Sequence, residues 1–360
     1  MLFTCAHRAP ADTGGHAYTA RRGKKHFTVD IHCHIHVPAA DARLAELVSP
    51  DATKSNVDSN PLTVEINKTQ QRTILPKLTD PEERIKDMDA SGIDVQAISS
   101  SPFHYNYGQP VEIGREICGM VNDQVAETVA SHPDRFVGLG ILPLQDEDAS
   151  LAELDKCVSG RGFRGIEIST NVNGRDLTRA GIERVFAKCE ELGVLIFVHP
   201  IGTSFKDRMD DHYFRNTIGH PLESALCVGH LVFDGYLDKY PGLKICIAHG
   251  GGYIPAYWGR FDHPWALRDD CRVNIPGKAP SEYVKQLYFD TVVFTEKQLR
   301  HMIEVWGADH VVMGTDYPYD MAETDPVGHV DSVKNLSEDD KAKIMGGNAA
   351  TLLGLDVSAG

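Results

Sequence analysis

The feature that most constrains the fold is an alternation of short, β-branched apolar runs with longer segments of helical hydrophobic period. Such runs are typical of strands that are buried on both faces of a parallel sheet. Eight runs predict strands, at Phe27–Ile31, Val95–Ser99, Phe136–Leu142, Gly165–Ile168, Leu195–Val198, Lys244–Ala248, Leu287–Asp290 and His310–Met313. Eight segments predict helices, at Pro81–Ala90, Val111–Ser131, Ala149–Val158, Thr178–Leu192, Pro221–Lys239, Ile254–Arg268, Thr295–Trp306 and Glu338–Leu353. This order predicts an α/β fold whose sheet closes into a (β/α)8 TIM barrel.

Domain organisation follows from where the alternation begins. Residues 27–360 predict a single barrel domain, and residues 1–26, which are basic but lack the apolar core of a secretory signal, predict an N-terminal extension. Residues 38–78 are too long for an ordinary strand-to-helix connection and predict an extended first βα loop. Residues 200–220 form a second long connection, and such insertions on a barrel tend to carry binding residues.

Charge and cysteine content limit the partners and the compartment. The chain has 36 Lys and Arg residues against 51 Asp and Glu residues, so its net charge of −15 argues against nucleic acid and anionic membranes as partners. The eight cysteines include no C-x-x-C pair, which disfavours a disulfide framework. No apolar window of about 18 residues occurs, so no membrane span is expected. We therefore expect a cytoplasmic protein that acts on a small molecule.

Potential metal ligands lie at the ends of predicted strands. His32 and His34 are two residues apart, so both side chains face the same way along the first strand. His199, His249 and Asp316 follow the fifth, sixth and eighth strands, and the carboxyl ends of barrel strands form one rim. Imidazoles and a carboxylate around an open position suit Zn²⁺, although Mn²⁺, Fe²⁺ and Co²⁺ accept the same ligands. The predicted ligands are His32, His34, His199 and Asp316, which leaves His249 as acid or base, or alternatively as a fifth ligand in a two-metal site.

These residues lie in motifs that resemble the metal-dependent amidohydrolase superfamily, in the branch of α-amino-β-carboxymuconate-ε-semialdehyde decarboxylase and related aromatic-acid decarboxylases. The motifs include Asp30-Ile31-His32-Cys33-His34, Leu142-Pro143-Leu144-Gln145-Asp146, Phe197-Val198-His199-Pro200, Ala248-His249-Gly250-Gly251-Gly252 and Gly314-Thr315-Asp316-Tyr317-Pro318. The resemblance implies that zinc is held by the H-x-H pair, His199 and Asp316, and that His249 activates the metal-bound water. It also implies non-oxidative decarboxylation of an unsaturated or aromatic carboxylate.

The resemblance extends to substrate contacts. Arg72 in the long first loop and Arg260 beyond the glycine triplet match arginines that hold substrate carboxylates in the decarboxylase, the second across a dimer interface. Arginine suits this task because its planar fork binds a carboxylate through two hydrogen bonds and stays charged. The resemblance therefore implies a carboxylate substrate and a homodimer. The chain departs from the family at Ile201 and His212, where the decarboxylase has tryptophans, so we expect His212 to alter the pocket and the substrate.

Some alternatives stay open at the level of sequence. The same scaffold supports a metal-dependent hydrolase of an amide, lactone or C–C bond, and a barrel with idle site residues would be a binding protein. Asp290, at the end of the seventh predicted strand, either orients a ligand histidine through its second ring nitrogen or begins a turn. Glu167 on the fourth strand either faces the site or pairs with Arg164.

Overall fold

The computed structural model describes residues 25–48, 60–201 and 208–357. Eight parallel strands form the barrel sheet in the order β1-β2-β3-β4-β7-β8-β9-β10. These strands are β1 (Val29–Ile35), β2 (Val95–Ser100), β3 (Phe136–Gly140), β4 (Gly165–Ile168), β7 (Leu195–Val198), β8 (Lys244–Ile247), β9 (Tyr288–Asp290) and β10 (Val311–Val312). A separate antiparallel hairpin follows β4 and consists of β5 (Asn171–Val172) and β6 (Arg175–Asp176). The TIM barrel predicted from the alternation is confirmed.

Backbone hydrogen bonds between β1 and the segment after β10 close the barrel. The Asp316 N–H donates to the His32 carbonyl at 2.8 Å, and the His34 N–H donates to the Tyr317 carbonyl at 2.8 Å. Both bonds lie beyond the end of β10, in the loop that carries Asp316. Closure of the barrel therefore places Asp316 beside the two histidines of β1.

Helices surround the sheet. Those of the described residues are α1 (Pro38–Leu47), α2 (Pro61–Thr79), α3 (Pro81–Ser91), α4 (Val111–Ser131), α5 (Glu147–Asp155), α6 (Glu183–Leu192), α7 (His220–Phe233), α8 (Tyr236–Lys239), α9 (Ile254–Tyr257), α10 (Gly259–Leu267), α11 (Pro280–Val284), α12 (Glu296–Trp306), α13 (Pro326–Asp331), α14 (Glu338–Ala342) and α15 (Asn348–Leu353). Two predicted helices are divided in the structure, into α7 and α8 and into α9 and α10, whereas a π-helical segment, Lys343–Gly347, joins α14 to α15. The first division lies next to Gly235, whose φ of 79° is in the left-handed region and ends the helical path.

The extended first βα connection is confirmed, and two helices lie within it. Helices α1 and α2 occupy most of the described part of residues 38–78. Asn60 caps α2, because its side-chain oxygen accepts hydrogen bonds from the backbone N–H groups of Leu62 and Thr63. Few α2 side chains are buried, so the segment lacks the apolar stripe by which a sequence pattern reveals a helix. Of the predicted N-terminal extension, residues 1–24 lie outside the described residues.

The apolar core has two layers. Side chains such as Val29, Val137 and Leu195 form an inner cluster, onto which Leu352 of α15 packs. A larger cluster fills the space between the sheet and the helices. The inner layer fills the barrel, so polar side chains collect at the carboxyl rim, the edge formed by the carboxyl ends of the strands. Within the described ranges, no helix combines the length and the apolar character that a bilayer span needs.

Arg84 on α3 links the first helices to β1. The residue is only 1% exposed, and its guanidinium lies 4.8 Å from the centroid of the Tyr317 ring. Its Nη1 donates to Gln96 Oε1 at 3.0 Å, and its Nη2 donates to the Lys77 carbonyl at 3.2 Å and to the His34 carbonyl. One buried cation therefore connects α2, α3, β2 and the strand that carries both histidines.

We expect Arg84→Met to lower the free energy of unfolding by about 2–4 kcal/mol, because the oxygens it contacts would stay buried without a charged donor. Urea denaturation measures the change. Arg179→Met is the matched control, since the Arg179 side chain is 61% exposed and its loss should change stability by less than about 0.5 kcal/mol. Equal stability of the two variants would show that the buried contacts of Arg84 are dispensable.

Candidate metal centre

Side chains from four strand ends meet at the carboxyl rim. They are His32 and His34 on β1, His199 after β7, His249 after β8 and Asp316 after β10, and we call them the His-Asp cluster. Strand β1 continues to Ile35, beyond the predicted end at Ile31, so both of its histidines belong to the strand. Cys33, between them, packs into the outer apolar layer. The structure thus brings together all five residues that the sequence singled out.

Asp316 lies at the centre of the His-Asp cluster. Its Oδ1 is 3.3 Å from Nε2 of His32 and 3.2 Å from Nε2 of His34, and its Oδ2 is 3.5 Å from Nε2 of His249. The His199 ring centroid lies 5.0 Å from that of His32, 4.9 Å from that of His34 and 4.9 Å from that of His249. Four imidazoles therefore surround one carboxylate.

Several ring nitrogens of the cluster are buried and have no hydrogen-bond partner among the described residues. They are Nε2 of His32, Nε2 of His34, both nitrogens of His199 and Nδ1 of His249. Buried polar atoms normally have a partner, so this concentration of ring nitrogens suits a cation, which accepts their lone pairs. One ligand atom from each of His32, His199, His249 and Asp316 lies within 4.8 Å of the others. Spacing and donor chemistry fit a divalent metal, and His34 joins the group through Asp316.

The charges of the cluster are coupled to one another. Burial alone would lower the pKa of His32, but Asp316 and Asp290 outweigh burial and raise that pKa to about 10. Burial alone would raise the pKa of Asp316, but the neighbouring imidazoles, His32 foremost, hold it well below its usual range. Burial and three neighbouring imidazoles lower the pKa of His199 well below its usual value. The carboxylates of Asp316 and Asp290 thus favour a positive charge within the His-Asp cluster. A metal ion would supply that charge while His199 stays neutral.

Hydrogen bonds to Nδ1 orient both histidines of β1. Nδ1 of His32 lies 2.6 Å from Oδ2 of Asp290, and Nδ1 of His34 lies 3.2 Å from the carbonyl oxygen of Ser100. When each Nδ1 donates its proton to these oxygens, each Nε2 presents a lone pair towards Asp316. Of the two roles considered for Asp290, the structure therefore supports the orientation of the His32 ring.

Asp290 also holds the backbone turn after β8. Its carboxylate accepts hydrogen bonds from the N–H of His249 at 3.0 Å and from the N–H of Gly250 at 2.8 Å. In the same turn, a Cβ on Gly252 would lie 2.2 Å from the Pro221 carbonyl oxygen, so only glycine fits. His249 and Asp316 have φ values of 55° and 62°, in the left-handed region that non-glycine residues rarely adopt. Strain of this kind persists where surrounding contacts enforce it, as Asp290 does here.

Glu167 belongs to the site and not to an ion pair with Arg164. It is fully buried, whereas Arg164 is exposed. Its Oε1 accepts a hydrogen bond from the Tyr105 hydroxyl at 2.6 Å, and its Oε2 accepts one from the Ser99 hydroxyl. Oε2 also lies 3.8 Å from Nδ1 of His34. Glu167 thus adds a buried carboxylate behind the cluster.

A cavity of about 150 Å³ adjoins the His-Asp cluster. His34, His199 and Asp316 contribute to its lining, together with the aromatic rings of Phe103, Tyr213 and Tyr319. Arg215, Asn216 and His220 add a polar wall. A small molecule in this cavity would therefore touch the cluster and a cationic side chain at once.

Three predicted substrate-contacting residues do not line this cavity in the single chain. Arg72 is exposed on α2, and Arg260 is exposed on α10. His212 is also exposed, and its ring centroid lies 5.3 Å from that of Phe214. None of the three is among the described residues that line the cavity. Their roles stay predictions.

The sequence interpretation missed the polar wall. Arg215 and Asn216 belong to a π-helical segment, Arg215–Gly219, and His220 begins the α-helix that follows it. The length of the connection at residues 200–220 indicated a binding segment, but no residue spacing reveals a π-turn in advance.

Comparisons with known proteins agree with this architecture. Residues 29–355 match the amidohydrolase family. The 2-amino-3-carboxymuconate-6-semialdehyde decarboxylase of Dictyostelium discoideum is 35% identical over 277 residues, which cover 77% of this chain and 77% of that protein. The gamma-resorcylate decarboxylase of Rhodococcus jostii strain RHA1 is 31% identical, over 76% of this chain and 87% of that protein.

A solved structure shows the same fold. The 5-carboxyvanillate decarboxylase from Novosphingobium aromaticivorans, complexed with manganese and 4-hydroxy-3-methoxy-5-nitrobenzoic acid, is 24% identical with a TM-score of 0.82. The match covers 95% of this chain and 100% of that one. The extent of the family match and the identity to the Dictyostelium discoideum relative show that the chain belongs to the amidohydrolase family.

Proposed function

We propose that the protein is a metal-dependent, non-oxidative decarboxylase of an unsaturated or aromatic carboxylate, either muconate-semialdehyde-like or hydroxybenzoate-like. The observation that carries this proposal is the cluster of four imidazoles around the buried Asp316 beside a cavity. Relatives that are decarboxylases of such acids support the reaction class. A cytoplasmic location remains the expectation from sequence.

The metal ligands in this proposal are His32, His34, His199 and Asp316. Support comes from the Nδ1 contacts of the β1 histidines, which leave each Nε2 with a lone pair, and from the buried nitrogens of His199. We propose Zn²⁺ as the ion, with Mn²⁺, Fe²⁺ and Co²⁺ as ions that the same donors accept. The bound ion supplies a Lewis acid that lowers the pKa of water and polarises substrate oxygens.

His249 moves the proton that the reaction needs. Decarboxylation breaks the bond between the carboxylate carbon and its neighbour, and the electron pair stays on the neighbouring carbon, which then takes up a proton as CO2 departs. The His249 side chain is 14% exposed, whereas those of His32 and His34 are fully buried, so His249 can exchange protons with solvent. Asp290 fixes its backbone, and a fixed imidazole suits general acid–base catalysis.

Arginines and a second subunit complete the proposed substrate site. Arg72 and Arg260 bind substrate carboxylates, His212 alters the pocket, and the assembly is a homodimer in which Arg260 reaches the partner subunit's cavity. The exposure of Arg260 on α10 in the single chain is compatible with such an exchange. The family resemblance supports these assignments.

The metal-loaded protein should release CO2 from at least one of 2,6-dihydroxybenzoate, 5-carboxyvanillate and 2-amino-3-carboxymuconate semialdehyde. A chelator should abolish the release, and added metal should restore it. Asp316→Ala should lose metal and turnover together, because this carboxylate contacts three imidazoles. CO2 trapping and elemental analysis provide the measurements. Full activity without metal would contradict the proposal, and incorporation of oxygen from labelled water without CO2 would identify a hydrolase instead.

His249→Gln should keep its metal but lower kcat for CO2 release by about 10²–10⁴-fold, because it removes the proton donor and leaves the proposed ligands intact. Metal content and kcat are measured on the same preparation. His132→Gln serves as the control, since His132 lies at the end of α4 and its side chain is 26% exposed beside Glu82. Loss of metal from His249→Gln would support the alternative role of His249 as a ligand.

A mixture of Arg260→Met and His249→Gln subunits tests whether Arg260 acts in trans. Each variant alone should be nearly inactive, but a mixed dimer would contain one site with both residues intact. Unfolding and refolding the mixture should therefore restore about a quarter of wild-type activity, as random pairing in a two-fold dimer predicts. Separately refolded variants are the control. No recovery would show that Arg260 serves its own chain or none.

A further inference from the structure

A second group of metal-ligating side chains lies outside the His-Asp cluster. It consists of His36 just after β1, Asp41 on α1 and His104 in the short turn Pro102–His104, and we call it the α1 site. Nε2 of His36 lies 2.8 Å from Oδ2 of Asp41, and Nε2 of His104 lies 3.2 Å from Oδ1 of the same carboxylate. The two imidazole rings stack with their centroids 4.8 Å apart. One carboxylate therefore has an imidazole nitrogen close to each of its oxygens.

Ser100 determines which nitrogen of His104 carries the ring proton. The Ser100 hydroxyl donates its single proton to the Ser101 carbonyl at 2.9 Å, so its oxygen accepts a hydrogen bond from Nδ1 of His104 at 2.8 Å. In the neutral ring, the lone pair then lies on Nε2. A histidine that ligates a metal usually donates its other ring N–H in this way, so His104 is already oriented as a ligand.

Nε2 of His104 has no hydrogen-bond partner among the described residues, although the residue is only 1% exposed. The Asp41 oxygen at 3.2 Å lies off the axis along which this nitrogen would form a hydrogen bond. A buried polar atom is rarely left without a partner. Ligands of one metal ion lie at an angle to one another, so a carboxylate beside the lone-pair axis suits an ion bound to both residues.

The charge balance at Asp41 also suits a cation. In the described ranges, its ion pairs are with His36 and His104, and no lysine or arginine side chain pairs with it. The Asp41 side chain is 50% exposed and that of His36 is 20% exposed, so an ion can reach the site from solvent. The ligand atoms lie within 4.8 Å of one another. Two imidazoles, one carboxylate and an open position for water are a ligand set that Zn²⁺ accepts.

We propose that the α1 site binds a second divalent metal ion, with Zn²⁺ as the ion that best matches its ligands. The proposal is independent of the proposed function, because it rests on a different set of side chains. The half-exposed carboxylate makes this the weaker site, so we expect it to fill after the His-Asp cluster.

A bound ion would connect α1 to the wall of the cavity beside the His-Asp cluster. His104 follows Phe103, whose ring lines that cavity. Ser100 links the two sites, since its carbonyl oxygen lies 3.2 Å from Nδ1 of His34 and its hydroxyl contacts His104. The second ion would therefore hold the turn Pro102–His104 in place against α1.

Zinc stoichiometry tests the α1 site. Equilibrium dialysis of the metal-free full chain against buffered free Zn²⁺, followed by elemental analysis, should show two ions bound to each wild-type chain. Asp41→Asn should raise Kd for the weaker ion by at least about 100-fold, because a change in a residue that only orients a ligand already costs about 10–100-fold. His36→Gln should have the same effect. Both variants should keep the tighter ion and the wild-type melting temperature of the metal-free chain.

His132→Gln is the matched control. Nε2 of His132 lies 3.1 Å from Oε1 of Glu82, a pair like that of His36 and Asp41, but no third ligand among the described residues joins it. This variant should bind both ions as the wild type does. In crystals of the zinc-loaded protein, an anomalous difference map at the zinc edge should place the weaker ion between His36, Asp41 and His104. A weaker ion that Asp41→Asn and His36→Gln both retain, or one located elsewhere, would overturn the inference.

Asp316→Ala separates the α1 site from the proposed function. If the wild type binds a single ion that Asp316→Ala removes and Asp41→Asn does not, the α1 site is wrong and the metal-dependent decarboxylase stands. If the single ion is instead lost with Asp41→Asn and kept with Asp316→Ala, the α1 site is supported and the proposed metal centre fails. A wild type that binds no zinc contradicts both.

Discussion

The burial of the Asp316 carboxylate is the constraint on which the site depends. A charge taken out of water is costly unless opposite charge and hydrogen bonds surround it. Three imidazole Nε2 atoms lie 3.2–3.5 Å from its oxygens, and its backbone N–H is bonded to the His32 carbonyl at 2.8 Å. That backbone bond is also one of those that close the barrel between β10 and β1. The backbone contacts that close the sheet therefore also bring the residues of the His-Asp cluster together.

A layer of buried polar contacts fixes the cluster from behind. Asp290 orients His32 and holds the turn of His249, while Glu167 lies 3.8 Å from His34. Arg84 donates to the carbonyl of His34 from the opposite side of the backbone. Each of these groups has more than one hydrogen-bond partner. The histidine rings that they contact therefore have little freedom to rotate. In the proposed function, these fixed donor atoms give a metal ion a preformed site, which favours affinity and a defined coordination.

Much of this arrangement could be predicted from sequence because the carboxyl ends of all barrel strands lie on the same rim. Runs such as Leu195–Val198 coincide with observed strands, and the residue after each run then had to face the carboxyl rim. The end of β1 was missed, since His32 and His34 interrupt its apolar pattern. The helix at residues 61–79 was missed because α2 buries few side chains. Arg215 was missed because its position on the cavity wall depends on a π-turn. Tertiary packing, and not local periodicity, determines that backbone conformation.

In the proposed function, the residues of the reaction lie on different elements from the cavity residues of the connection before α7. The proposed chemistry lies on strand ends that the closed sheet fixes, whereas Arg215 lies on the connection between β7 and α7, where sequence changes do not disturb the strands. The chain carries a net charge of −15, so its long-range field does not attract an acid. Fields of exposed charges fade within about 8 Å at physiological salt, and a partly buried guanidinium in the cavity is screened much less. In the proposed function, recognition of an acidic substrate is therefore local, and the residues of this connection that line the cavity can change while the His-Asp cluster stays intact.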